Sequence, residues 1–288
     1  MDPVTTFLNA KAERTENALR AYLAAWVGAP SSLVEAVEYS LFAGGKRLRP
    51  ALALGAAEIV SGDDEAALPA ACALEMIHTY SLIHDDLPAM DDDDMRRGRP
   101  TCHIRFGEAL AILAGDALLT MAFDVIAKSG CVVAVSTLAR AAGAAGMVGG
   151  QVYDLDGEGK ALGLAELRRL HACKTGALIR VSVELGAMLS GASDAQIRAL
   201  TRYGEEIGLA FQIADDILNV TGTEAALGKP VGSDEARGKS TYPGLLGLDE
   251  ARRLGREAVD RATGALDGFG PEADTFRALA AYIIDRDR

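Results

Sequence analysis

Apolar residues along the chain recur mostly at the three-and-four spacing of one helix face, and runs that alternate apolar with polar or gather β-branched residues are scarce. The pattern predicts an all-α protein, a bundle of long antiparallel helices. Ser32-Leu33-Val34-Glu35 has the form of a capping box that opens a helix. Gly44-Gly45 ends it, because glycine accepts the left-handed conformation that follows a last turn. Pro50 suits the first turn of the next helix. Further helices are predicted over about 66–86, 108–128, 131–148, 164–190, 194–220, 248–266 and 271–285. No Pro-rich, Ser-rich or repetitive segment divides the chain, so residues 1–288 read as one helical domain. Two long interruptions, 87–107 and 222–240, are rich in charge and glycine, and loops on a rigid scaffold are where chemistry concentrates.

Composition narrows the function classes. With 49% hydrophobic residues among 288 the chain can bury a sizeable core. A net charge of -12, from 41 acidic against 29 basic residues, excludes a general nucleic-acid binder, so any phosphate must be met by locally placed cations. The uncharged stretch 131–139 stops at Arg140, short of the ~18 to 20 apolar residues of a membrane span, and predicts a soluble protein without stable membrane association. Met1-Asp2-Pro3-Val4-Thr5 lacks the basic start and apolar core of a secretory signal. Cys72, Cys102, Cys131 and Cys173 form no C-x-x-C pair and read as reduced thiols of a cytoplasmic protein.

Six of the ten residues from Asp85 to Asp94 are aspartate. Clustered carboxylates repel one another and call for a counter-ion, and hard oxygen ligands suit Mg2+ better than zinc. In an unbroken helix Asp85 and Asp91 would lie about 240° apart and could not face one ion. Pro88 disfavours helix at Leu87, so the helix ends near Asp86 and the chain folds back to return Asp91. A solvated acidic loop is the plainer alternative; an EF-hand fails because Arg96 stands where its glycine must be. Arg96, Arg97 and Arg99 follow directly, so metal and guanidinium could approach one polyanion, as in diphosphate binding.

A second polar stripe, Gln212, Asp215, Asp216 and Asn219, falls at i, i+3, i+4 and i+7 between Phe211, Ile213, Ile217 and Leu218, and reads as a second metal-binding wall, with a solvent-facing stripe as the plainer alternative. Only seven of the 29 basic residues are lysines, and Lys46, Lys174, Lys229 and Lys239 lie in segments marked by glycine, threonine or proline. Glycine beside a cation lets backbone amides approach a phosphate. His78, two turns before Asp85, shares nearly its face, while Tyr80 and Ser81 would line an apolar cavity below the metals.

Asp85-Asp86-Leu87-Pro88-Ala89-Met90-Asp91 with Arg96-Arg97-Gly98 resembles the first aspartate-rich motif of the trans-polyprenyl diphosphate synthases, in the bacterial form with two inserted residues. Asp215-Asp216-Ile217-Leu218-Asn219 resembles the second. Gly45-Lys46-Arg47-Leu48-Arg49-Pro50, Lys174-Thr175 and Gly238-Lys239-Ser240-Thr241-Tyr242-Pro243 match the remaining signatures in order, and within the family the likeness is to the bacterial farnesyl diphosphate synthases. The resemblance implies a homodimeric helical transferase with a deep apolar cavity. Asp85, Asp91 and Asp215 would carry three Mg2+ ions, with Mn2+ as a substitute, on an allylic diphosphate also held by Arg96, Lys174, Lys229 and Lys239. Lys46, Arg49, His78 and Arg97 would bind isopentenyl diphosphate, while Lys174, Thr175 and Gln212 would face the allylic carbon. The second motif departs from the family at Asn219, where aspartate is usual, so the third Mg2+ is expected to bind more weakly.

If Tyr80 projects into the cavity its ring would stop the product near fifteen carbons, with Ser81 too small to add a barrier. A twenty-carbon product is the alternative. A class I terpene cyclase also ionises a diphosphate on aspartates, but has no use for Lys46, Arg49 and Arg97.

Overall fold

The computed structural model of the chain describes residues 2–222 and 238–285. Among these, the only strands are the two-residue pair β1, Met95–Arg96, and β2, Arg99–Pro100. All else regular is helix, as the apolar spacing predicts. Helix α1 runs Pro3–Ala24, started by Pro3 and by the Asp2 carboxylate, which accepts the Val4 and Thr5 N–H groups. Its pattern is masked because Lys11 and Thr15 sit on the buried face with Val4, Leu8, Leu19 and Leu23. Lys11 is satisfied there by Glu58 and by Asp64 at 2.7 Å.

Helix α2, Ser31–Leu41, starts at Pro30 with no side-chain cap, so the capping box at Ser32 does not form. Helix α3, Leu48–Ser61, holds Pro50 in its first turn as predicted. Helix α4, Leu68–Asp85, is preceded by a short 3-10 turn. After β2 come α5, Cys102–Phe106, and α6, Glu108–Ala127. The helix predicted over 131–148 is two, α7, Val132–Ala142, and α8, Met147–Gly157, broken between Gly143 and Gly146. Helix α9, Leu164–His171, continues through one π turn, Ala172–Gly176, into α10, Ala177–Leu189. Helix α11, Asp194–Thr221, is capped by Ser193 and Gln196. The C-terminal part holds α12, Tyr242–Leu246, α13, Leu248–Ala265, and α14, Asp274–Asp285.

Helices α3, α4 and α10 are apolar nearly all round and form the centre. One core cluster joins α4 to α1, α2, α6 and α7 through Leu74, Met76, Ile77 and Leu118. A second joins α3 and α10 to α11, α13 and α14, where Tyr203 stacks on Phe276 at 5.0 Å and donates to its carbonyl. The expected lack of any apolar segment of membrane-span length does not hold. By length and composition alone Glu65–Asp85, Glu108–Ala127 and Val132–Gly157 are each apolar enough to cross a membrane; 67% of the first one's apolar window is buried, because α4 is the central helix. All four cysteines are free, Cys72 and Cys102 buried and Cys131 and Cys173 partly exposed.

Candidate active site

The aspartate segment folds back as Pro88 requires. Asp91 N–H donates to the Asp85 carbonyl at 2.8 Å, Asp93 N–H reaches the Asp86 carbonyl, and Asp92 takes a left-handed φ of 52°. Burial raises the Asp85 carboxyl to about 6; Lys174 opposes that and Asp91 adds to it. Asp86 turns inward, where Arg96 Nε donates to both its oxygens at 2.7 and 3.0 Å. Arg96 is thereby committed to Asp86, in a small space lined also by Tyr39 and Thr79, and lines neither of the two larger clefts beside it.

The first cleft, of about 420 Å3, is basic: Lys46, Arg49, His78 and Arg97 all line it, the four residues that the family resemblance groups as one diphosphate site. Gly45 sits at φ 119° with the Arg97 guanidinium 2.8 Å from where a Cβ would be, so only glycine lets that arginine lie against the loop. Arg97 also donates to the Gly44 carbonyl. Arg47, in the middle of the same motif, borders this cleft too, but its side chain is fully buried and bonded within the protein. Its buried guanidinium bonds Glu75 at 2.5 Å, Glu16 at 2.9 Å and the Leu41 carbonyl at 2.6 Å, and so anchors the loop from behind. Burial pushes Arg49 down to about 10 against the pull of Glu75, with Arg97 adding to the fall. Burial likewise holds the His78 imidazolium well below its usual range, helped by Arg49 and Arg97. Cations gathered at such cost in one cleft are a cradle for a polyanion. Asp215, Phe211 and Leu218 of α11 line the same cleft, as does Tyr282, whose ring centre lies 5.6 Å from Lys46 Nζ.

The second cleft, of about 360 Å3, is mainly apolar, walled by Tyr80, Met90, Met147, Val148, Val152 and Leu155. Its polar lining is Ser81, His84, Asp85, Gln151, Lys174 and Thr175, together with Arg49 and His78, which are common to both clefts. Tyr80 lines this cavity, its ring edge-on to His84 at 5.8 Å. Lys174 and Thr175 are presented by the π turn, a local widening of the helix that recurs at functional sites. Lys174 Nζ donates to Asp154 Oδ2 at 2.6 Å; Lys239 Nζ donates to the same oxygen at 2.9 Å and lies 3.8 Å from Asp91 Oδ1.

Asp154 escaped the sequence reading. The available signal was that it is the first charge after the uncharged, glycine-rich run 141–153. The second polar stripe is divided by the fold: Asp215 lies exposed at the basic cleft, whereas Asp216 is buried and accepts the Tyr242 N–H at 2.9 Å, and Asn219 is 2% exposed. Gln212, half-buried on α11, lines neither cleft. Lys229 lies outside the described residues. Among the described residues no three or more His, Cys, Asp or Glu side chains gather as a closed metal site. The fold-back pair Asp85 and Asp91 fits magnesium nonetheless, which takes one or two carboxylates and completes its shell from water and phosphate.

Residues 30–268 match the polyprenyl synthetase family. The chain is 48% identical to the farnesyl diphosphate synthase of Geobacillus stearothermophilus, over 98% of its own length and 96% of that protein's. It is 46% identical to the geranylgeranyl diphosphate synthase of Cyanophora paradoxa, covering 90% and 89% of the two chains. The fold matches the crystal structure of geranylgeranyl pyrophosphate synthetase from Pyrococcus horikoshii with a TM-score of 0.89 at 30% identity, over 98% of each chain. A helical bundle carrying this pair of clefts and these matches defines the class: the chain belongs to the polyprenyl synthetase family.

Proposed function

We propose that the chain is a short-chain trans-prenyltransferase, a farnesyl diphosphate synthase that condenses isopentenyl diphosphate with dimethylallyl and then geranyl diphosphate. The observation that carries this reading is the pair of clefts, one basic and one apolar, sharing Arg49 and His78 as a common wall. Two substrates, each with a diphosphate, need two anion sites beside one hydrocarbon cavity. The likeness to the Geobacillus stearothermophilus enzyme over nearly the whole chain supports the same product.

In this reading Lys46, Arg49, His78 and Arg97 hold the diphosphate of isopentenyl diphosphate. The allylic chain lies along Tyr80, Met147, Val148 and Val152, with its diphosphate toward Lys174 and Lys239. Lys229 and Arg96 join them, Arg96 after leaving Asp86. Magnesium, three ions with manganese as a substitute, would be held by Asp85, Asp91 and Asp215 and would neutralise charge on the leaving diphosphate. As the allylic carbon–oxygen bond breaks, the lysine ammonium groups stabilise the same developing charge. Lys174 and Thr175 face the allylic carbon, and the apolar walls keep water from the cation; Gln212, which lines neither cleft, is left without that role. The isopentenyl double bond then closes the new carbon–carbon bond, and the proton lost from the adjacent carbon goes to the released diphosphate.

Residues 1–288 act as one domain, as a soluble cytoplasmic homodimer without nucleic-acid partners. The dimer reading rests on exposed apolar residues of α6, α7 and α8, among them Leu113, Val132 and Val152. A twenty-carbon product is the second reading, favoured by the Cyanophora paradoxa likeness. The test is turnover with Mg2+, labelled isopentenyl diphosphate and dimethylallyl or geranyl diphosphate, followed by dephosphorylation and chromatography. Farnesol is expected. Geranylgeraniol would move the assignment to the second reading, and consumption of geranyl diphosphate without condensation would indicate a cyclase.

A further inference from the structure

Lys174 and Lys239 come from segments far apart in the chain, yet their ammonium groups converge on a single carboxylate oxygen, Asp154 Oδ2, at 2.6 and 2.9 Å. All three side chains are largely shielded from water, with 26%, 18% and 12% of the lysine 174, lysine 239 and aspartate surfaces exposed. Two like charges held this close in a shielded place repel strongly unless a counter-charge lies between them. The carboxylate supplies it and takes one donor from each lysine.

The position of that carboxylate is itself built. Gly150 stands one turn before Asp154 on the same face of α8, and a Cβ there would overlap the backbone of Lys174. Helix α8 therefore packs directly on the π turn, and Asp154 is carried against the lysine that the turn presents. Lys239 is brought to the same point by the segment before α12, where the Ser240 hydroxyl accepts the Leu162 N–H at 3.0 Å. From there Lys239 Nζ also faces Asp91, 3.8 Å away.

We propose that Asp154 is a positioning residue for the allylic diphosphate: it fixes Lys174 and Lys239 side by side, facing the aspartate segment, before substrate arrives. This deepens the prenyltransferase reading and rests on it. Asp154 touches neither substrate. It sets where two cations stand when charge develops on the leaving group, and preorganised charges need no rearrangement at that moment.

The test is steady-state kinetics of Asp154→Asn and of the double variant Asp154→Asn with Lys239→Gln, beside Lys239→Gln alone and the wild-type enzyme. Asparagine keeps the size of the side chain and loses the charge. For Asp154→Asn we expect kcat/KM for geranyl diphosphate to fall on the order of 10- to 100-fold. KM for isopentenyl diphosphate should stay within about twofold, because its cleft does not include Asp154. The thermal midpoint should move by only a few degrees, and the double variant should be little worse than Lys239→Gln. The proposal is overturned if Asp154→Asn keeps the allylic kcat/KM within twofold. It is also overturned if both substrates are affected equally with a collapsed midpoint, or if the two losses multiply. A wild-type enzyme that joins neither allylic starter to isopentenyl diphosphate would overturn the function reading itself, and with it this role.

Discussion

Single side chains decide two properties that can be measured separately. Tyr80 is 6% exposed and presents its ring to the apolar cleft, so truncation opens space where a growing chain would otherwise stop. Tyr80→Ala should shift the main product from fifteen carbons to twenty or more, read by chromatography of the alcohols; an unchanged product would remove Tyr80 from that role. His78 is kept neutral by burial and by Arg49 and Arg97, so its folded pKa lies well below its unfolded value of 6.5. Its contribution to stability is complete above pH 6.5 and is lost as pH falls through the range below, by up to about 1.4 kcal/mol per pH unit. Denaturation at pH 7.5 and 5.5 should show this fall in the wild type, and a smaller one in His78→Gln, the remaining histidines being common to both. Of the basic quartet, Lys46 and Arg49 were legible because cations in a glycine- and proline-marked break have no ordinary surface explanation, whereas His78 and Arg97 were grouped with them by the family resemblance. Asp154 was not, because its partners are 20 and 85 residues distant and nothing local marks the meeting. Nor does spacing distinguish Asp215, which lies exposed at the cleft, from Asp216, which turns in to hold the Tyr242 N–H.

At the scale of elements, the fit of α8 against the π turn governs the site. Gly150→Ala would force the two backbones apart, a strain that cannot be relieved by moving a flexible side chain. The expected cost is about 1–3 kcal/mol of stability by overpacking and on the order of 100-fold in kcat, as Lys174 and Thr175 shift from the cleft. Denaturant titration and turnover of the variant measure both, and a variant with wild-type kcat would show that the contact does not set catalytic geometry. The sequence marks most helices because their apolar stripes are unbroken, as in α4 and α11. It hides α1, whose buried stripe contains Lys11 and Thr15, and it suggests a capping box before α2 where Pro30 starts the helix without one. The break between α7 and α8 was also unread, since the alanines between Gly143 and Gly146 continue a helical composition.

The whole molecule must keep water from a cation, and one chain alone leaves part of that wall open. Val148, Val152 and Leu155 line the apolar cleft yet are 45%, 50% and 41% exposed. Beside them His84, which also lines the cleft, bonds the Ile112 carbonyl of α6 at 3.1 Å, and the outer face of α6 carries exposed Ile112 and Leu113. A second copy covering α6 to α8 would close the cavity from outside and bury the same residues. Leu113 is 55% exposed, so a charge placed there disturbs little within one chain and much in an interface. Light scattering should give the wild type twice the 30.1 kDa chain mass and Leu113→Glu a mass nearer one chain at low concentration. With the wall opened, Leu113→Glu should also lose turnover in step with dissociation, and regain it as protein concentration rises and the dimer re-forms. A wild type of single-chain mass that is fully active would show that α8 shields the cation unaided.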